Sequence, residues 1–201
     1  MPKIVNHEER KEHIAEAVWR VIRKDGLDGV SVRRVADEAG LSLGALRYYF
    51  DAQDELLAYS MRLISHRANE RIRNLPDTGE PRERIERIIA ELLPLDGVRT
   101  AEAEVWFAFV GKALSDPAIG ALSREVHDEL YEGFRSMVDP LVSLKLAKDG
   151  IDADRETKRL HALVDGLVLH RIAFPERIRS EELMSIVSLH LDSLLKEPDR
   201  R

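Results

Sequence analysis

Apolar residues recur at helical spacing along almost the whole chain, and the alternation typical of strands is nearly absent. Ile14, Val18 and Ile22 form the first such stripe, and Asp25-Gly26 supplies the signal that would end its helix. The pattern predicts nine helices, which begin near residues 6, 31, 42, 51, 82, 100, 116, 153 and 180. The predicted fold class is therefore all-α.

Helix-capping residues define several of these starts. Ser31 and Ser42 each precede a short helix, and Gly40 stops the first of the two. Asp51 is expected to cap the fourth helix. Asp116-Pro117 places a capping aspartate before a proline, the order favoured at a helix start, and opens the seventh.

The composition fits one sizeable domain or two small ones. The 201 residues are 44% hydrophobic and 34% charged but only 5% aromatic, a balance more typical of a helical protein than of a sandwich or barrel. The longest apolar run, residues 105–110, is far shorter than the roughly 20 residues that cross a bilayer. We expect a cytoplasmic protein without a secretory signal or membrane partner. Because the chain has no cysteine, disulfides, thiolate metal sites and a cysteine nucleophile are excluded.

The net charge of −6 is unevenly distributed. Residues 1–50 carry nine basic and eight acidic side chains, a net of +1, whereas residues 51–201 carry 22 and 29, a net of −7. A nucleic-acid site needs a local basic face rather than a basic protein. The overall charge therefore neither favours nor excludes DNA as a partner.

Residues 31–50, SVRRVADEAGLSLGALRYYF, have the form of two short helices joined by a tight turn. Ala36 is small where the two helices would cross, and Leu46 and Phe50 share one face of the second helix. The opposite face carries Leu43, Gly44, Ala45, Arg47 and Tyr48. The pattern indicates either a helix-turn-helix motif or an ordinary corner of an all-helical fold.

The run from Glu8 to about Leu57 contains a set of characteristic spaced residues: Gly26, Ser31-Val32-Arg33, Val35-Ala36, Ala39-Gly40-Leu41-Ser42, Gly44, Leu46, Tyr48-Tyr49-Phe50 and Asp54-Glu55-Leu56-Leu57. With these residues the run resembles the DNA-binding domain of the tetracycline-repressor (TetR) family of bacterial transcription regulators. Residues 105–109 and 160–167 also resemble the subset related to the betaine-pathway repressor. The resemblance implies a helix-turn-helix domain over residues 1–51 and a ligand-binding, dimerising domain over residues 52–201.

The resemblance also implies roles in DNA binding. Arg47 stands where the family usually has an aromatic residue, and is expected to read a guanine edge in the major groove. Tyr48 and Tyr49 are expected to donate to phosphates, while Gln53 replaces the usual backbone-contacting lysine. The expected DNA-contacting residues are Ser31, Arg33, Ser42, Leu43, Gly44, Ala45, Arg47, Tyr48, Tyr49 and Gln53. Repression is the activity typical of this family.

Such a protein would bind a palindromic operator as a two-fold dimer, since one recognition helix reads too few bases. Apolar stripes on the last two predicted helices are the candidate dimer surface, although they would also suit the chain's own core. The predicted interface residues are Leu160, Leu163, Val164, Leu167, Arg171, Ile186, Val187, His190 and Leu194.

Aromatic and histidine side chains in the middle of the chain are the candidate effector site. They could line a pocket for an unidentified small molecule that releases the operator by favouring one arrangement of the dimer. An ordinary aromatic core is the open alternative. The residues are Trp106, Phe109, Val110, His127, Tyr131, Phe134 and His170.

An enzyme is the main competing class of protein. The chain has seven histidines and many carboxylates, but no HExxH, P-loop or GxGxxG motif. His161 and Asp165, four residues apart, are expected to be solvated helix neighbours. We therefore predict no catalytic residue, no metal site and no cofactor. The alternative function is a helical adaptor or structural protein that has lost DNA binding.

Overall fold

The computed structural model describes residues 7–196, and this part of the chain is all-helical, as predicted. Its α-helices are α1 (His7–Asp25), α2 (Val32–Ala39), α3 (Leu43–Arg47), α4 (Gln53–Arg73), α5 (Pro81–Leu92), α6 (Gly97–Ala113), α7 (Pro117–Ser143), α8 (Ala153–Ala173) and α9 (Ser180–Leu194). A 3-10 turn, Leu27–Gly29, follows α1, and an isolated antiparallel bridge joins Ala147 to Leu195. None of these helices combines the length and apolar character that a bilayer crossing requires.

The third and fourth helices differ from their predicted bounds. α3 ends at Arg47 rather than Phe50, so the tyrosine pair lies in the turn that follows it. α4 begins at Gln53, two residues after the predicted cap at Asp51. The Asp51 N–H donates to Glu55 Oε2 at 3.1 Å, so a side chain from within the helix satisfies this part of the backbone.

The sixth helix begins earlier than predicted. It starts at Gly97 rather than Thr100, because Asp96 Oδ1 accepts a hydrogen bond from the Arg99 N–H at 2.8 Å. This is the geometry of an N-cap, so the helix begins three residues before the predicted start. The predicted start of the first helix at Asn6 lies outside the described residues.

The chain folds into two compact units. The first contains the described residues up to Asn69 together with Glu104–Ser123, and the second contains Glu70–Ala103 together with the described residues from Arg124 onward. Residues of α4, α6 and α7 therefore belong to both units. The functional division at residue 51 stays a prediction, which rests on sequence motifs rather than on packing.

In the first unit, α1 is joined to α4 through its buried tryptophan. Trp19 Nε1 donates to the Ser60 carbonyl at 2.9 Å, and the Arg67 guanidinium lies over the Trp19 ring at 5.2 Å. Arg67 also pairs with Glu12 at 2.9 Å and with Glu16 at 2.7 Å. The apolar stripe of α1 is buried beside these contacts, as the periodicity predicts.

The second unit contains a network of charged side chains around Arg71, near the end of α4. The Arg71 guanidinium donates to Glu102 Oε1 at 3.1 Å and Oε2 at 2.8 Å, and to Glu91 Oε2 at 3.0 Å. Glu91 also faces Arg99 at 3.4 Å, and Glu102 is buried. Burial disfavours the charge of Arg71, but the bonds to Glu102 and Glu91 outweigh it and leave the pKa of the guanidinium raised.

Candidate nucleic-acid interface

Capping bonds build the tight turn between α2 and α3. Gly40 ends α2 with a φ of 66°, a left-handed conformation that glycine adopts without steric cost. Ser42 Oγ accepts a hydrogen bond from the Ala45 N–H at 3.1 Å, and Ser31 Oγ accepts one from the Arg34 N–H at 3.2 Å. The predicted serine caps are confirmed. Contact of either serine with a phosphate stays a prediction.

The same turn contains the spacing of a hydrolase motif. Residues 40–44 read Gly-Leu-Ser-Leu-Gly, the G-x-S-x-G pattern of a nucleophile elbow. That elbow joins a strand to a helix, whereas this segment joins two helices and its serine hydroxyl caps the second. The segment is therefore part of a helix-turn-helix and not a nucleophile elbow.

The two short helices divide into an inner and an outer face. The buried residues are Val35, Ala36, Ala39, Leu46 and Phe50. The predicted DNA-facing residues Leu43, Gly44 and Arg47 are exposed, while Ala45 and Tyr49 are half-buried. Tyr48 has 75% of its surface open to solvent. The end of α3 and the turn that follows it thus present an arginine and a large aromatic ring to solvent.

Two arginines of this region have no partner within the described residues. Arg33 and Arg47 are both exposed, and neither forms an ion pair or hydrogen bond there. The adjacent Arg34, by contrast, pairs with Asp25. Arg33 and Arg47 can therefore bind an anion or a base edge without first breaking a contact within the chain.

Three aromatic rings meet at the end of α3, and we call them the His7 cluster: His7, Tyr48 and Tyr49. The Tyr48 and Tyr49 ring centroids are 5.1 Å apart and perpendicular. The His7 ring, from the start of α1, lies 4.9 Å from Tyr49 and 6.1 Å from Tyr48. The turn after α3 is therefore supported by α1.

The Gln53 side chain is partly engaged within the chain. Its Nε2 donates to the Val30 carbonyl at 3.1 Å, which ties the start of α4 to the segment before α2. A glutamine amide has two N–H donors. One donor is left for the phosphate contact predicted at this position.

Three of the predicted effector residues lie in the first unit. Phe109 is fully buried, whereas Trp106 and Val110 are half-buried. The other four belong to the second unit, where His170 is exposed and its ring lies edge-on to Phe174 at 6.2 Å. The structure therefore does not group His170 with the other histidines of that unit.

The remaining predicted residues lie along α7, against α8. The Tyr131 hydroxyl donates to Asp154 Oδ1 at 2.5 Å. His127 and Phe134 stack on the His161 ring of α8, with centroid distances of 4.8 and 4.6 Å. Because His127 and Phe134 are two helical turns apart, the His161 ring must lie between them.

The burial of His161 corrects the expectation that His161 and Asp165 are solvated neighbours. Only 4% of His161 is exposed, and its Nε2 is 3.5 Å from Asp165 Oδ2 without forming a hydrogen bond. Burial lowers the pKa of His161, the carboxylate of Asp165 opposes this shift, and His127 adds to it. The helical spacing predicts a polar pair but cannot predict that α7 covers it.

The predicted dimer residues divide into two groups. Leu160, Val164, Leu167, Val187 and Leu194 are buried within their own chain, so their surface is not available to a partner. Leu163, Arg171, Ile186 and His190 are half-buried. The exposed large apolar side chains of α8 and α9 are instead Leu169, at 43%, and Leu189, at 69%, which the helical periodicity did not single out. An apolar stripe that is wide enough for two faces does not show which face the chain itself covers.

Two short helices joined by a capped tight turn, with an exposed arginine on the second helix and a tyrosine pair directly after it, are typical of a helix-turn-helix DNA-binding protein. Known families agree with this class. Residues 14–59 match the family described as "Bacterial regulatory proteins, tetR family", and residues 81–196 match "BetI-type transcriptional repressor, C-terminal". The chain therefore belongs to the TetR family of transcriptional regulators and has a BetI-type C-terminal domain.

Two relatives that are named as transcriptional regulators match this chain over nearly their whole length. The chain is 40% identical over 201 residues to the HTH-type transcriptional regulator PksA of Bacillus subtilis (strain 168), covering 100% of this chain and 97% of that protein. It is 27% identical over 202 residues to the HTH-type transcriptional regulator BetI 2 of Chromohalobacter salexigens, covering 97% and 93%. The protein is thus a transcriptional regulator and not an enzyme.

Solved structures show the same fold. A transcriptional regulator from Rhodococcus sp. Rha1 is 29% identical, with a TM-score of 0.79 over 94% of this chain and 99% of that chain. A putative transcriptional regulator from Saccharomonospora viridis in complex with choline is 22% identical, with a TM-score of 0.78 over 94% and 100%. These similarities confirm the predicted helical architecture.

Proposed function

We propose that this protein is a ligand-responsive repressor, which binds a palindromic operator as a two-fold dimer and is released by a small-molecule effector. The observation that carries the proposal is the exposed surface at the end of α3, where Arg47 has no ion pair or hydrogen bond among the described residues and Tyr48, in the turn that follows, is open to solvent. Its DNA partner places the protein in the cytoplasm.

On this surface we assign recognition of the base sequence to the arginines. We assign the phosphate contacts, which fix the position of the protein on the duplex, to the turn and to the starts of the helices. Arg47 donates to guanine O6 and N7, and Arg33 contacts a base or an adjacent phosphate. Leu43 and Ala45 meet thymine methyl groups. The tyrosine hydroxyls donate hydrogen bonds to phosphates. The N-terminal ends of α2 and α3 bind phosphates too, as does the second N–H of the side-chain amide at the start of α4. The residues assigned to phosphate are Ser31, Ser42, Tyr48, Tyr49 and Gln53.

The test is fluorescence anisotropy with DNA that flanks the protein's own gene. We expect a complex that is specific for a palindrome and weakens steeply with salt, as counterion release requires. A random duplex of equal length is the control. Equal affinity for both duplexes, or no binding at low salt, would contradict the proposal and favour a helical adaptor that has lost DNA binding.

Gly44 offers a test in which stability and DNA binding change in opposite directions. A Cβ at Gly44 would meet no atom within 4 Å, so the fold does not require glycine there. Gly44→Ala should raise stability by up to about 1 kcal/mol through helix propensity. It should weaken operator binding, because the added methyl group faces the closest approach to the groove. Thermal unfolding and anisotropy on the same sample check both effects. Unchanged DNA affinity would contradict the proposed close approach of α3 to the bases.

The dimer surface that we propose is the outer face of α8 and α9. Leu163, Leu169, Ile186 and Leu189 offer apolar surface that their own chain leaves partly or largely uncovered. Two copies related by a two-fold axis would cover this surface. Operator binding would then require the two α3 helices to lie about 34–36 Å apart, the distance between successive major grooves on one side of the duplex.

Leu189→Glu should dissociate this dimer. A two-fold interface contains the substituted residue twice, so the loss of apolar burial and the added charges should raise the dimer Kd by about 100-fold or more. Sedimentation velocity should then show the monomer at micromolar concentration. Leu144→Glu, at another exposed leucine of the second unit, is the matched control and should leave the dimer intact. A wild-type protein that sediments only as a monomer would contradict the proposed interface.

For the effector we propose a small organic molecule bound beside the ring stack of His127, His161 and Phe134. Polar groups at this stack include the Nε2 of His161, which has no hydrogen-bond partner among the described residues, and the nearby Asp165 carboxylate. The choline complex of the Saccharomonospora viridis regulator makes choline the first compound to assay. An effector should raise the melting temperature and release the operator together, since only a ligand that prefers one state shifts the equilibrium.

A further inference from the structure

The His7 cluster places a histidine of α1 against both tyrosines of the DNA-facing turn. His7 is exposed, and its ring lies within 4.9 Å of Tyr49 and 6.1 Å of Tyr48. The expected DNA-contacting residues all lie between Ser31 and Gln53, so His7 is a residue that neither the motif nor the resemblance singled out.

We propose that His7 is a further DNA-contacting residue, which donates a ring N–H to a backbone phosphate beside the phosphate held by the tyrosine pair. The inference rests on the proposed function, since it requires that the turn after α3 meets the duplex. An imidazole has at least one N–H donor in either tautomer, and no hydrogen bond engages the His7 ring among the described residues.

Packing alone does not account for a histidine at this position. The ring of His7 meets the edges and faces of two tyrosines, contacts that a phenylalanine would make equally well. His13, one further histidine of α1, is different, because its Nε2 lies 3.2 Å from the Ala39 carbonyl and serves the fold. At His7 the polar edge of the ring has no such partner in residues 7–196, and it is left for a ligand with acceptor oxygens.

Two substitutions distinguish a role of the aromatic ring of His7 from a role of its N–H donor. His7→Phe keeps the aromatic contacts and removes the donor, whereas His7→Gln keeps an N–H donor and removes the ring. We expect His7→Phe to lower affinity by about tenfold for the operator and for random DNA alike, because phosphate contacts carry no sequence information. His7→Gln should recover most of this loss, and thermal unfolding should be close to wild type for both.

His66→Phe is the matched control, because His66 is an exposed histidine on α4, about 20 Å along the helix axis from Gln53. It should leave DNA affinity unchanged. If His7→Phe binds DNA as wild type does, or if His7→Gln is as weak as His7→Phe, the N–H donor is not used and the proposal is wrong. Failure of the wild-type protein to bind the operator would instead contradict the proposed function, so the two failures are distinguishable.

Discussion

Replacing Arg47 by alanine is expected to lower operator affinity by roughly 100-fold and to leave affinity for random DNA almost unchanged. A bidentate contact between arginine and guanine discriminates by about 1–3 kcal/mol, and a two-fold dimer makes it in both half-sites. Arg47 has no partner within the described residues, so its removal breaks no ion pair or hydrogen bond among them. Anisotropy titrations with operator and random duplexes, at one fixed salt concentration, measure the difference.

Tyr48→Phe is the matched comparison for Arg47→Ala. The substitution removes a hydroxyl from the same surface but keeps the ring that packs on Tyr49 at 5.1 Å. If the hydroxyl donates to a phosphate, operator and random DNA should lose affinity by the same factor, about fivefold to tenfold. Equal and modest losses in both variants on both duplexes would contradict the division between base reading and phosphate contact.

The helix-turn-helix region could be predicted from the sequence because its signals are local. Ser31 and Ser42 cap the helices that follow them, and Gly40 takes the left-handed conformation that the turn needs. Each of these signals acts within four residues and does not depend on distant packing. The inner and outer faces then follow from helical spacing, which correctly buries Leu46 and Phe50.

The C-terminal helices were harder to predict, because which side of each helix is buried depends on residues far apart in sequence. Leu160 and Leu163 belong to one apolar stripe, yet the chain covers the first and only partly covers the second. His161 looks like a surface residue until His127 and Phe134 of α7 are placed on either side of its ring. Periodicity predicts that a helix has an apolar face, but the partner of that face depends on tertiary packing.

Glu102→Ala should cause the largest loss of stability among the substitutions considered. Glu102 is buried and accepts two hydrogen bonds from Arg71, at 3.1 and 2.8 Å. Its removal leaves the guanidinium with Glu91 alone, and a partly buried charge that loses its main partner is costly. We expect the free energy of unfolding to fall by about 2–3 kcal/mol and the melting temperature to fall by about 5–10 °C.

Two further variants test whether the ion pair itself causes this loss. Glu70→Ala removes the partner of Arg73, an exposed pair at 2.5 Å on the same helix, and should cost less than about 0.5 kcal/mol. The double variant Arg71→Met with Glu102→Leu removes both charges and should recover much of the stability that Glu102→Ala loses, because no unpaired charge remains and Glu91 keeps Arg99. Urea unfolding of all variants gives the comparison. A loss for Glu102→Ala as small as that for Glu70→Ala would show that water replaces the carboxylate, and that the Arg71–Glu102 pair contributes little to stability.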